Sequence, residues 1–379
     1  MKYREFQGKQ ISQLGFGAMR LPTDGEGWTA PINTKATEEM ILCAYENGVN
    51  YYDSAYVYHG GNSEKVIGEI FNRNKIRDKI NIATKLPTMP QFIEGDYNAF
   101  FNEQLERLGT DHVDFYLIHS LEAQKWEDLK KHGVLEFMDS LKKSSKISHI
   151  GFSFHDSYDS FVKILGDYDW EFCQIQMNFL DVDEQATLKG LEYAYEKKGI
   201  KVVIMEPLRG GKLLGIGGAE LDKIKAETGY KEETAAKAAF NFLWNRPEIL
   251  TVLSGMHRLS DVAENVKSAG EAEVGGQSEV EKAFLARLKE YIESKPSISC
   301  TACRYCVEGC PQNIDIPRAF SSYNEAVAFN AVKENAGMTK ATNPNVGNCV
   351  ECGQCEEVCP QHLQVPELLK KVCELFEIK

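Results

Sequence analysis

Four residues have the types and spacing of a proton-transfer site. Asp53 closes an extended stretch, Val49-Asn-Tyr-Tyr, and Tyr58 follows five residues later. Lys85 closes Ile80-Asn-Ile-Ala-Thr-Lys, and His119 closes Val113-Asp-Phe-Tyr-Leu-Ile-His. A phenol is a poor acid near neutrality, with a reference pKa of about 10. A neighbouring cation favours the phenolate and lowers that value. A buried cation needs a counter-anion, which Asp53 can supply. Asp, Tyr, Lys and His thus stand at the ends of three successive extended runs. A structural Asp53–Lys85 ion pair beside an incidental tyrosine is the plainer reading of the same residues.

A second group of residues has a different chemistry. Eight of the eleven cysteines fall in Cys300-Thr-Ala-Cys303-Arg-Tyr-Cys306-Val-Glu-Gly-Cys310-Pro and Cys349-Val-Glu-Cys352-Gly-Gln-Cys355-Glu-Glu-Val-Cys359-Pro. Both read C-x2-C-x2-C-x3-C-P, the bacterial ferredoxin run for [4Fe–4S] clusters, in which the fourth cysteine ligates the other cluster. On that logic one cluster takes Cys300, Cys303, Cys306 and Cys359, and the other takes Cys349, Cys352, Cys355 and Cys310. Zinc is the alternative, but its sites usually show paired C-x2-C knuckles. Cys43, Cys173 and Cys373 lie in periodic apolar stretches and read as small buried hydrophobes.

The elements that must hold these residues alternate. Apolar runs mark strands within 14–22, then up to Asp53, Lys85 and His119, then over 147–153, 172–177, 201–206 and 250–254. Helical spacing marks segments over 37–46, from 63, over 97–108, after 133, over 158–165, 185–197 and 235–243, and from 260. Eight such units predict an α/β chain with a parallel (β/α)8 TIM barrel, whose sites lie at the carboxyl ends of its strands. The pattern changes after residue 270. An amphipathic helix over 271–295 connects the barrel, residues 1–270, to a small mainly helical ferredoxin-like iron-sulfur domain over 296–379. Without metal so short a segment has little core, so cluster binding and folding are coupled.

At 379 residues the chain has room for both parts. Its formal charge of −13 and the lack of a basic stripe exclude nucleic acid as a partner. The amino-terminal residues have no apolar core of the signal-peptide kind. No apolar run approaches the ~20 residues of a membrane helix. A cytoplasmic location with no membrane partner is expected.

The order and separation of Asp53, Tyr58, Lys85 and His119 resemble the catalytic tetrad of the aldo-keto reductase family. The resemblance covers about residues 2–269 and includes a glycine-containing first strand with Gly15 and Gly17. It implies a nicotinamide dinucleotide across the strand ends. Ser153 and Gln174 match groups that hold the carboxamide. Pro207-Leu208-Arg-Gly210-Gly-Lys212 matches the loop along the pyrophosphate, Ser254 and Gly255 the next strand end, and Glu264-Asn265 the adenine-side pair. The sequence departs from the family at Phe154, usually asparagine, and at Met205, usually an aromatic ring against the nicotinamide. It departs also at Gly255 and Asp261, where many NADPH-using members place a lysine and an arginine. Loss of these cations favours NADH over NADPH, with Arg258 or Lys267 left as cations for a 2′-phosphate.

The reaction that the resemblance implies is carbonyl reduction, or alcohol oxidation in reverse. Tyr58 protonates the oxygen, and His119 orients or polarises the carbonyl. Three roles stay open for the clusters: feeding a redox partner (a ferredoxin or a flavoprotein), reducing a substrate directly, or holding the fold. The alternative function is an electron-transfer or binding module whose barrel performs no hydride transfer. The loops that would choose the substrate, near Trp28, 87–97 and 121–133, carry no recognisable code.

Overall fold

Short apolar runs alternate with amphipathic helices along most of this chain, and the order dictates a closed sheet. The structure is a computed structural model that describes residues 1–25 and 30–378, with Glu308 described by its backbone alone. Two short strands come first, β1 (Tyr3–Phe6) and β2 (Lys9–Ser12), paired antiparallel. Eight more follow: β3 (Leu14–Gly17), β4 (Tyr51–Asp53), β5 (Asn81–Leu86), β6 (Val113–Leu121), β7 (Ile147–Phe154), β8 (Phe172–Gln176), β9 (Lys201–Met205) and β10 (Ile249–Ser254). These eight close into a parallel barrel in the order β10-β3-β4-β5-β6-β7-β8-β9. The predicted barrel is therefore present.

Strand residues alternate between two environments, as the pleat requires. Tyr51, Phe115, Leu117, Phe172, Val203, Leu250 and Leu253 fill the barrel interior. Tyr52, Tyr116, Ile118, Phe152, Cys173 and Val202 belong to the larger core shared with the helices. The β1–β2 hairpin was not expected from the sequence. Its Phe6 ring lies 5.6 Å from Phe115 and 6.4 Å from Phe172, both near the starts of their strands. The hairpin thus plugs the amino end of the barrel and leaves the carboxyl end for a site. Gln7 (φ 47°) and Gly8 (φ 83°) form its turn, a geometry in which two left-handed residues match the strand twist.

Helix contacts set the outer positions. In the helix Ser63–Arg73, Ile67, Ile70 and Phe71 are buried. Its Gly68 touches backbone at Leu108, where an added Cβ would stand 2.6 Å away. Only glycine permits that approach, and it draws the helix Tyr97–Leu108 against the first one. Phe154, one departure from the family pattern, packs outward on Phe161 with rings 5.1 Å apart. The helices Ala123–Lys131, Gly218–Thr228 and Val332–Thr342 and the single turn Pro90–Ile93 lie outside the segments that helical spacing marks in the sequence.

The chain forms two compact units. Met1–Gly210 and Ala236–Glu279 make one; Gly211–Ala235 and the chain from Val280 make the other. In the second unit Lys212 pairs with Glu325, and the Tyr230 ring stacks on Phe284 at 4.0 Å. Ile314, Ile316, Phe320, Val346, Val365, Leu369, Val372 and Phe376 form its core, with several of the paired-run cysteines packed against them. Each cysteine run leads into a helix with proline in its first turn, Ile316–Phe329 and Val365–Phe376. Proline fits there because its missing N–H has no helical partner. Among the described residues, no helix is long and apolar enough to cross a membrane.

Candidate functional site

Asp53 is the last residue of β4 and Lys85 the next-to-last of β5. The sequence reading ended the fourth barrel strand at His119, but β6 runs on to Leu121. Its register with β7 shifts between Ile118 and Leu121, and Ser120 is left-handed (φ 50°). This bulge carries His119 at the carboxyl rim. Ser120 N–H donates to Ser153 Oγ at 2.7 Å, and Thr88 donates to the His119 carbonyl at 2.5 Å.

Tyr58 opens a short turn in which His59 (φ 51°), Gly60 (φ 63°) and Gly61 (φ 89°) are all left-handed. The turn swings the phenol over the barrel mouth. Lys85 donates to both Asp53 oxygens at 2.7 and 2.8 Å, to the Ser54 carbonyl at 2.6 Å and to the Tyr58 hydroxyl at 3.4 Å. The His119 ring stands edge-on to Tyr58, centroids 5.8 Å apart. All four residues meet in one place. Lys85 is fully buried and Asp53 nearly so.

Burial sets the electrostatics of this group. It works against charge on Lys85, but Asp53 and then Tyr58 outweigh it and hold the ammonium pKa above its ordinary value. Burial also lifts the Tyr58 phenol above 10, against the opposing pull of Lys85 and with Asp53 adding to the rise. The downward influence of Lys85 read from the sequence is present, but the net direction is upward. Burial, then Lys85, His155 and Lys125, hold the His119 pKa well below 6.5, so its imidazole is neutral. Tyr56 lies outside the group and donates to Glu103 at 2.6 Å.

The residues expected to hold a dinucleotide fall into two sets. Ser153 and Gln174 are neighbours across β7 and β8, and Gln174 Nε2 donates to Met205 Sδ at 3.5 Å. Gln174 Oε1 is buried with no hydrogen-bond partner among the described residues. A primary amide presents the N–H donor that this oxygen lacks, so the set fits a carboxamide. In the other set, Asn265 donates to Ser254 Oγ at 3.0 Å, and a Cβ on Gly17 would come within 3.3 Å of the Ser254 carbonyl. Leu208 packs on the core, and Glu264 is exposed. Asp261 accepts from Arg258 at 2.9 Å in a capping box at the start of the helix Leu259–Glu271.

Sequence reasoning missed Arg20. Its side chain spans this second set: an added Cβ on Gly255 would stand 3.3 Å from Arg20 Cδ, and one on Gly210 only 2.6 Å from Arg20 Nη2. Gly210 leaves room for the guanidinium and Gly255 for the stem that carries it. The available signal was position, since Arg20 follows the carboxyl end of β3, where ligands of this fold gather.

The cysteines ring two cavities. Cys300, Cys303, Cys306 and Cys359 line one, with Ile316, Phe320 and Val365. Cys310, Cys349, Cys352 and Cys355 line the other, with Ile314, Pro366 and Leu369. Each cavity joins three thiols of one run to the fourth of the other. Among the described residues no three His, Cys, Asp or Glu side chains are placed to hold a single metal ion. A ring of four thiols around a void suits a cluster. Cys303 and Cys352 are exposed. Trp28 lies outside the described residues.

Known proteins resemble this chain in both of its parts. Residues 13–274 match the model of the Aldo/keto reductase family, and residues 299–364 match the 4Fe-4S dicluster domain. L-galactose dehydrogenase of Arabidopsis thaliana is 26% identical over 297 residues, covering 72% of this chain and 88% of that protein. NADH-specific methylglyoxal reductase of Escherichia coli is 23% identical over 302 residues, covering 68% and 89%. A holo-form aldo-keto reductase from Bacillus halodurans superposes with a TM-score of 0.59 at 22% identity, covering 76% of this chain and 96% of that one, which is a likeness of fold.

Proposed function

The chain belongs to the aldo/keto reductase family and carries a 4Fe-4S dicluster domain, and we propose that it reduces a small-molecule carbonyl with a nicotinamide dinucleotide through Tyr58, Lys85, Asp53 and His119. The observation that carries this reading is the Lys85 ammonium, held by Asp53 at 2.7 Å and 3.4 Å from the Tyr58 hydroxyl. A reduced nicotinamide, when bound, supplies hydride to a carbonyl carbon. Tyr58 delivers its proton to the carbonyl oxygen as negative charge grows there. Its raised pKa keeps the proton in place at neutral pH, and the Lys85 charge stabilises the phenolate left behind. Neutral His119 has a ring N–H to donate to the same oxygen, which polarises the carbonyl and fixes its orientation. Run backwards, the same groups oxidise an alcohol.

Ser153 and Gln174 would hold the carboxamide. Gly17, Gly210, Gly255 and Asn265 would line the rest of the dinucleotide, with Arg20 facing its pyrophosphate. Gly255 and Asp261 carry no cation for a 2′-phosphate, which supports NADH over NADPH. The two cysteine sets would hold two [4Fe–4S] clusters, which supply one-electron carriers. The exposed Cys303 and Cys352 make exchange with a ferredoxin or flavoprotein partner a consistent role.

The test is cofactor titration of the cluster-loaded chain, followed by reduction of 4-nitrobenzaldehyde. Binding of NADH and a turnover about 10² lower in Tyr58→Phe are expected. Failure to bind either dinucleotide would favour a barrel that performs no hydride transfer.

A further inference from the structure

The turn that presents Tyr58 is closed by Asn62, whose backbone N–H and Nδ2 both donate to the His59 carbonyl, at 3.2 and 3.1 Å. Three successive left-handed residues include His59, which bears a Cβ, and such backbone persists only where surrounding structure over-determines it. Part of that restraint comes from Leu21, whose N–H donates to His59 Nε2 at 3.2 Å, and part from one side chain on another helix. Arg107 Nη1 donates to the Tyr56 carbonyl at 3.0 Å, two residues before Tyr58. Its guanidinium lies 4.1 Å from the centre of the Tyr56 ring. On the other side, an added Cβ at Gly61 would stand 3.4 Å from both terminal guanidinium nitrogens. Arg107 therefore touches the segment before and after the phenol and does not touch the phenol itself.

The same guanidinium is tied to the strand that carries Lys85. Arg107 Nη1 donates to Glu64 Oε2 at 3.2 Å, and Glu64 has no exposed side-chain surface. Glu64 Oε1 accepts from Thr84 at 2.5 Å and from Gln104 Nε2 at 2.7 Å. Gln104 Nε2 also donates to the Lys85 carbonyl at 3.1 Å, and its Oε1 accepts from Tyr116 at 2.8 Å. Apart from Arg107 Nε, which has no partner among the described residues, the network is bonded throughout, and such a network fixes geometry because each displacement breaks several bonds in low dielectric.

We infer that Arg107 is a positioning residue for Tyr58, and that buried Glu64, through Gln104 and Thr84, locks the Tyr58 turn to the Lys85 strand and so sets the phenol-to-ammonium separation. The inference rests on Tyr58 as the proton donor. It adds residues that touch neither substrate nor cofactor: Glu64 on one helix, Gln104 and Arg107 on its neighbour, whose approach Gly68 permits, and Thr84 on β5. Misplacement of a reacting group by about 1 Å costs up to ~10² in rate.

The experiment uses the cluster-loaded full chain with Arg107→Ala and Arg107→Lys. Hydrogen exchange of the 54–62 amides should quicken at least tenfold in Arg107→Ala while the remaining barrel amides keep their rates. Turnover of 4-nitrobenzaldehyde should fall about tenfold or more with the NADH dissociation constant unchanged. Added methylguanidine should restore part of it. The deciding comparison is the double variant with Tyr58→Phe. Arg107 acts through Tyr58 alone, so removing it there should cause no further loss. Arg107→Lys keeps a cation beside Glu64 but lacks the fork that also reaches Tyr56, so it should show the same local exchange if Arg107→Ala does not fold. Unchanged 54–62 exchange in a folded variant, or an equal loss with and without the Tyr58 hydroxyl, would overturn the assignment. If Tyr58→Phe alone keeps wild-type turnover, the donor reading fails instead, and the exchange result still decides whether Arg107 holds the turn.

Discussion

The Lys85 ammonium stands 3.4 Å from the Tyr58 hydroxyl while its short bonds go to the Asp53 carboxylate and the Ser54 carbonyl. The spacing gives the lysine two roles. Its close bonds neutralise the buried carboxylate, and its longer one leaves the phenol its proton. A phenol with a depressed pKa would lose that proton near neutrality. Here burial keeps it.

The commitment of Lys85 to Asp53 has a cost in stability when it is broken. Lys85→Met leaves a carboxylate buried with no cation, which destabilises by about 3–5 kcal/mol. Asp53→Asn in the same chain should recover much of that loss, because the orphaned charge is gone, while turnover stays low. Urea unfolding of the cluster-loaded chain followed by circular dichroism would measure both. A Lys85→Met chain as stable as wild type would show that the pair does not hold the fold here.

Two pH dependences follow with opposite signs. On the proposed mechanism carbonyl reduction draws on the Tyr58 proton, so turnover should stay level through neutrality and fall only above about 10, since the folded pKa is raised. His119 works the other way on stability. Its folded pKa lies well below 6.5, so above about 6.5 neither folded nor unfolded chain binds that proton. As pH falls below this value the unfolded chain takes up a proton that the folded one refuses, and stability declines. His119→Gln should flatten the decline between about pH 6.5 and 5. An unaltered slope in that window would show that the imidazole is not held neutral.

Much of this was legible in the sequence, for identifiable reasons. Asp53 and Lys85 each end an apolar run, so the barrel pattern delivers them to the same rim. The cysteine runs are local and need no tertiary information. What escaped depends on distant approach or on burial. The bulge at Ser120 carries no glycine or proline to announce it. The β1–β2 hairpin has strands of four residues and a Gln-Gly turn, too little for a pattern. Arg20 and Arg107 act on segments far along the chain. The direction of the Tyr58 pKa turns on how deeply the phenol is buried, which spacing does not state.

Arg20 offers a prediction about the dinucleotide. Its guanidinium lies against Gly210 and its aliphatic stem against Gly255, in the loops that would flank a pyrophosphate. Arg20→Gln should raise the NADH dissociation constant about tenfold, the size of one hydrogen bond to a charged group. NADPH should bind more weakly than NADH in wild type, because Gly255 and Asp261 offer no cation to a 2′-phosphate. Fluorescence titration of both dinucleotides would test the two statements separately. Unchanged NADH affinity in Arg20→Gln removes the residue from the cofactor site, and a tighter NADPH complex reverses the preference.

The last prediction concerns how the cysteines are shared. One cavity is lined by three thiols of the first run and Cys359, the other by three of the second run and Cys310. If ligation follows the cavities, the reconstituted chain should carry about eight irons, and loss of any one ligand should take the content toward about four. Single variants cannot say which cluster was lost, but pairs can. Cys310→Ala with Cys352→Ala removes two ligands of one cluster, so iron should fall no further than in either alone. Cys310→Ala with Cys303→Ala strikes both clusters, and iron should approach zero. Ligation within each run predicts the reverse, because Cys303 and Cys310 would then share a cluster and Cys310 and Cys352 would not. Iron and sulfide analysis of the two double variants, both folded far enough to bind NADH, decides between the patterns.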